Sequence, residues 1–157
     1  MDGPLTVKNK TEILQVARAL PQTLEFYHLG EVKLQHPHSM PDSGSEVDFQ
    51  ESSVIGFQIF GESKATILFF FAKDLDVSVY SELGNLLTSQ IANQVSRENH
   101  IDVLISPPRR INIKQVEQMI QNHPPLLKRT YIHFCKNQRV PIITWLLPTP
   151  SEGFGYA

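Results

Sequence analysis

A carboxylate and a carboxamide lie three residues apart in Ser78-Val79-Tyr80-Ser81-Glu82-Leu83-Gly84-Asn85, and Pro108 follows Asn85 after twenty-two intervening residues. On a helix of about 3.6 residues per turn, Ser78, Glu82, Asn85 and Ser89 fall along one ridge. Glu82 can pair with a cation, and the Asn85 carboxamide can both donate to and accept from a water molecule. Two such groups on one rigid face could form half of an active site whose other half a partner supplies. On spacing alone the ridge also reads as an ordinary solvated helix face. The neighbouring elements and the longer pattern have to decide between these readings.

Other candidate chemistries fall short. Cys135, the only cysteine, excludes an intramolecular disulfide, and its setting Tyr131-Ile132-His133-Phe134-Cys135 reads as a strand. A cysteine there behaves as a small hydrophobe, and a His133–Cys135 pair two residues apart is easily coincidental. His28, His36 and His38 invite a metal reading. No cysteine or carboxylate cluster completes a ligand set beside them, and Pro37 and Pro41 mark a turn, so no metal site is assigned.

The chain's composition sets its class. It has 157 residues, 41% hydrophobic and 19% charged, with a formal net charge of −2. That suits one soluble globular domain over 1–157. Arg109-Arg110 and Lys128-Arg129 are the densest basic groups, too short to track a phosphate backbone, so nucleic acid is not an expected partner. The apolar run Ala65 to Ala72 is too short to span a bilayer, and residues 1–10 lack the apolar core of a signal peptide. A cytoplasmic protein with no membrane association is the simplest expectation.

The ridge needs a long helix, and the pattern supplies one from Asp76 to about Glu98, with Asp76 as N-cap. Val77, Tyr80, Gly84, Leu87, Ile91 and Val95 gather on one side, the side expected to sit on a sheet. Glu82 lies nearly opposite, so the ridge should face solvent. Gly84 in that stripe predicts close approach to another backbone.

Upstream, Val54 to Phe60 and Lys64 to Phe71 read as a hairpin joined at Gly61-Glu62-Ser63. Arg129 to Cys135 and Val140 to Leu147 form a second pair, after a second helix from Asn112 to about Asn122. Thr11 to Leu20 reads as a helix capped by Thr11, Thr23 to Tyr27 as a further turn, and Glu31 to Gln35 as a short strand. Residues 36–53 read as a flexible loop and 149–157 as a frayed tail. The expected fold is α+β, a mostly antiparallel sheet with long helices packed on one face.

The full spacing of Ser78, Glu82, Asn85 and Pro108 resembles the signature of the CheC/CheX/FliY family of chemotaxis phosphatases, Asp or Ser, x3, Glu, x2, Asn, x22, Pro. The filling is similar too: ELGNLLTSQIANQVS resembles the family helix, and ISPPRRI, residues 105–111, its Ser-Pro-Pro turn. The likeness covers roughly residues 50 to 148. One motif is present where CheC and FliY proteins carry two, so the chain looks most like the CheX branch.

The resemblance implies a hydrolase that removes the phosphoryl group from the phospho-aspartate of a CheY-like response regulator. Asn85 would orient the attacking water and Glu82 would pair with the partner's lysine. Ser89 would share the partner-binding ridge, while Ser78 shapes it and Pro108 terminates a segment and orients the second helix. Magnesium would belong to the response regulator, leaving this chain with no cofactor of its own, and a homodimer is implied. The alternative is a non-catalytic adaptor, or flagellar-switch-like scaffold, that binds receiver domains. Intact Glu82 and Asn85 count against it, because a retired site has no physical reason to keep both groups at this spacing.

Overall fold

The computed structural model describes residues 16, 31–33, 47–135 and 138–148. Among these residues seven strands form one antiparallel sheet: β1 (Glu31–Lys33), β2 (Ser52–Gly61), β3 (Ala65–Ala72), β4 (Val103–Ile105), β5 (Arg109–Arg110), β6 (Leu127–Cys135) and β7 (Gln138–Leu147). Their order is β1-β6-β7-β3-β2-β4, and β5 joins β4 on the outer edge of β2. A long helix (Val77–Asn99) follows β3, and a short helix (Ile113–Asn122) follows β5.

Local chemistry explains the element ends. The Asp76 carboxylate accepts from Ser78 N at 2.9 Å, satisfying a donor of the first helical turn. At the far end His100 takes the left-handed conformation, with φ 54° and ψ 43°. Asn112 and Gln115 form a reciprocal capping box on the short helix, at 2.8 and 3.0 Å. The β2–β3 turn starts at Gly61, whose φ of +109° disfavours other residues.

The expectation of helices on one face is corrected by the packing. In β3, Ile67, Phe69 and Phe71 pack with Tyr80, Leu83, Leu87, Ile91 and Val95 of the long helix. The alternate residues Leu68 and Phe70 pack with Ile111, Val116 and Trp145, under the short helix, so the helices cover opposite faces. Side chains of a strand alternate between faces, and an unbroken apolar run such as Ile67 to Phe71 needs a cover on each. Each buried Phe or Ile contributes about 1.5–3 kcal/mol, so leaving one face of that run in water would be prohibitive.

β3 and β4 run the same way on either side of β2, with the long helix crossing between them. Such crossovers are right-handed, which fixes the flank of the helix that overlooks β4 and β5. Within that edge the register changes by one residue. Ile59 pairs with Ile105 but Gly56 pairs with Arg109, so Pro107 and Pro108 together stand opposite Phe57. This is a β-bulge at residues with no N–H for the ladder. The slip reverses the alternation, carrying Ile111 into the second core and the chain onto the face where the short helix forms.

The sequence pattern missed both β4 and β5. Part of the stretch read as a 36–53 loop is also ordered, since Phe49–Glu51 forms a 3-10 turn capped by Asp48 and β2 begins at Ser52. Val16 is helical and fully buried in the long-helix core, and the rest of the Thr11 to Leu20 segment lies outside the described residues. So do 23–27, 34–46, 149–157 and the three histidines at 28, 36 and 38.

Candidate functional site

The long helix presents Ser78 and Glu82 to solvent, with Asn85 and Ser89 half-buried along the same ridge. Glu82 and Asn85 stand about 4.5 Å apart along the axis. Opposite them lie Tyr80, Leu83, Gly84, Leu87, Thr88, Ile91, Ala92 and Val95, a wider buried stripe than the six residues that periodicity picks out. Within it Val77 is only half-buried.

Gly84 sets the height of this helix above the sheet. A methyl group at Gly84 would come within 2.9 Å of Phe57 Cε2 and 3.1 Å of Phe69 Cδ2. The close approach expected from the sequence is therefore to two aromatic rings and not to backbone. Those rings are themselves locked edge-to-face, with centroids 5.5 Å apart. Gly84→Ala gains about 1 kcal/mol of helix propensity but overpacks a rigid pair at about 1–3 kcal/mol. The expected outcome is a net loss of about 1 kcal/mol, read as a lower urea midpoint with unchanged m.

Handedness decides where Asn85 points. Tyr80 stacks on Phe71, which pairs with Ser53, while Gly84 sits over Phe57, so the helix runs in the direction of β2. The carbonyls of Val54 and Gln58 accept from Ile111 N and Ser106 N on the outer edge. Val54 packs on the face away from the helix, and Gln58 shares its alternation. For L-residues this places β4 and β5 to the left of β2, seen from the helix with the strand running upward. A right-handed helix with Gly84 on the sheet turns Asn85, about 100° further on, toward that same left edge. Asn85 thus leans toward the edge that carries Pro107 and Pro108, at the level of Phe57. Asn85 and Pro108, with twenty-two residues between them in sequence, are brought to one flank of the fold.

Pro108 is exposed. Arg110 pairs with Ile55 and so projects from the helix side of the sheet, exposed, whereas Arg109 pairs with Gly56 on the other side. Among the described residues no group of three His, Cys, Asp or Glu converges as a metal site. No helix among them is long and apolar enough to cross a membrane. The Cys135 side chain lies outside the described residues.

The sequence reading missed a buried polar row beneath the helix. Arg129, Tyr131 and His133 alternate along β6 and are all buried. Burial pushes the Tyr131 phenol up to about 12, with the Arg129 charge and hydrogen bond acting in the opposite direction. His133 Nδ1 shares a 3.0 Å hydrogen bond with Tyr80 Oη. The i, i+2 spacing of Arg129, Tyr131 and His133 was the signal available for this row.

No protein-family model matches the chain, and no curated protein matches it. Among solved structures it is similar to a CheC-like superfamily protein from Shewanella sp. PV-4, at 14% identity and a TM-score of 0.42, over 90% of this chain and 99% of that one. It is also similar to a chain of the CheX–CheY–BeF3–Mg2+ complex from Borrelia burgdorferi, at 10% identity and a TM-score of 0.41, again over 90% and 99%.

Proposed function

We propose that this chain hydrolyses the phospho-aspartate of a CheY-like response regulator, working in the cytoplasm as a single-domain homodimer. The observation that carries the reading is the ridge itself. Glu82 stands free in solvent and Asn85 leans to the flank where Pro108 lies, on a helix seated by Gly84 and capped by Asp76.

In this reading the ridge docks against the partner's phosphorylation site. Glu82 forms a charge-assisted pair with the partner's lysine and sets the register of docking. Asn85 enters the site, and its carboxamide orients a water in line with the aspartyl oxygen. The water oxygen bonds to phosphorus, the bond from phosphorus to the aspartyl oxygen breaks to leave the aspartate as a carboxylate, and both of the water's protons leave with the phosphate as H2PO4−. Catalysis of this kind consists of positioning and charge stabilisation, with little covalent chemistry required of the protein. The partner's magnesium ion would supply positive charge for the phosphoryl group, so this chain would need to contribute only the two side chains. Ser89 extends the contact one turn on, and Ser78 lines its other end.

The test is phosphate release from a phosphorylated CheY-like receiver domain with and without this protein. Acceleration by the wild-type chain is the expected result. Glu82→Ala should lower kcat/KM about 30-fold, chiefly through KM, the equivalent of losing an interfacial charge pair of ~2 kcal/mol. Binding with no change in release rate would replace this reading with that of an adaptor.

A further inference from the structure

The helix that carries the ridge is held to the sheet by apolar contacts, which resist separation but allow small rotations and slides. A buried hydrogen bond is directional, and in an apolar surround it is costly to break. One such bond lies under the first turns of this helix. Tyr80 Oη and His133 Nδ1 are 3.0 Å apart, and their rings meet edge to face at 5.5 Å. Tyr80 also stacks on Phe71 at 5.1 Å. Tyr80 is 7% and His133 2% exposed, so water does not compete for the bond.

The place of this bond in the topology matters. Phe71 belongs to β3, while His133 belongs to β6, two strands away across β7. The Tyr80 side chain therefore spans from the helix to the far half of the sheet. Gly84, one turn later, fixes the height of the helix over Phe57 and Phe69. The hydrogen bond fixes its rotation. Glu82 lies between these two anchors and Asn85 directly after the second.

The geometry points to Tyr80 and His133 as positioning residues for the ridge, acting through the rotational setting of the long helix; this rests on the phosphatase reading above. A side-chain tip lies about 6 Å from a helix axis, so a rotation of about 10° displaces it by about 1 Å. An ion pair formed by two long, flexible side chains follows such a displacement, whereas the in-line placement of a water does not. A misplacement of about 1 Å can cost up to about 10²-fold in rate. Loss of the tether should therefore lower kcat and leave KM nearly unchanged.

The experiment compares Tyr80→Phe, His133→Leu and His133→Gln with the wild type, well below the melting temperature, on a phosphorylated CheY-like receiver. Tyr80→Phe keeps the ring on Phe71 and removes only the hydroxyl. It and His133→Leu should each lower kcat about tenfold with KM within about twofold. His133→Gln keeps a hydrogen-bond acceptor and should stay within about threefold of the wild-type kcat. Ile91→Val, further along the same stripe, serves as a control that weakens packing without touching the tether, and it should retain the wild-type kcat. Amide exchange of residues 79–85 should be faster in Tyr80→Phe than in Ile91→Val, a readout that needs no enzymatic activity. Wild-type kcat in Tyr80→Phe, or an equal loss in Ile91→Val, overturns the assignment. A wild-type chain that fails to accelerate phosphate release sinks the phosphatase reading alone, and the exchange comparison then decides whether the tether sets the helix.

Discussion

Asn85→Ala should lower the turnover of a phosphorylated receiver by on the order of 10²-fold or more, while leaving its binding within about threefold. The substitution removes a carboxamide from a half-buried position on the flank of the long helix. Alanine is the better helix former, so the helix should persist and the effect should be confined to chemistry. In the proposed mechanism, what disappears is the group that would both donate to and accept from the attacking water, and no neighbour on the ridge can replace it. Glu82, when ionised, can accept but not donate, and the hydroxyls of Ser78 and Ser89 stand about two and one helical turns away. Two further substitutions sharpen the result. Asn85→Gln keeps the amide but carries it about one methylene too far, so a partial rate is expected. Asn85→Asp keeps the shape but places a negative charge beside a phosphoryl group, so it should lose both rate and affinity. The measurements are single-turnover phosphate release and binding to a beryllofluoride-activated receiver. An Asn85→Ala protein within twofold of wild-type turnover would remove the proposed role of the carboxamide.

The two central hairpins and the long and short helices were legible because each carries its signal within itself. Val77 to Asn99 has an apolar period and a capping aspartate, and Asn112 has Gln115 three residues on to close a capping box. β4 and β5 carry no such signal. Strands of three and two residues show no period, and what makes them strands is the unpaired outer edge of β2. The side each helix covers was hidden for a related reason. Periodicity marks an alternating strand, but Ile67 to Phe71 is apolar throughout and names no preferred face. At the site, the ridge of Ser78, Glu82, Asn85 and Ser89 was readable from helical spacing. The lean of Asn85 toward the β4–β5 edge was not, because it depends on the direction of the crossover and on where Gly84 sits. The Tyr80–His133 bond joins residues 53 apart, and in sequence His133 suggested only a neighbour of Cys135.

Deleting Pro107 should destabilise the protein by about 3–5 kcal/mol, whereas Pro107→Ala should cost about 1 kcal/mol or less. The contrast follows from what the diproline does. The bulge adds one residue to the edge strand between Ile105 and Arg109, and that addition reverses which face each later side chain meets. With one residue fewer, the ladder would run on in the register of β4, and Ile111 would move from the second core to the side of the long helix. Ile111 is 6% exposed and packs with Val54 and Val116, so its removal leaves a cavity and weakens the seat of the short helix. If the chain instead kept Ile111 in place, the missing residue would pull β4 from β2 and break the Ser106 N to Gln58 O bond of 2.9 Å. Pro107→Ala keeps the count, and with it the register. It changes only the stiffness of an already irregular segment, chiefly through the unfolded chain. Urea unfolding of the two variants measures the difference directly. Equal midpoints would mean that residue number at this edge does not set the register, and the spacing from Asn85 to Pro108 would then need another physical reason.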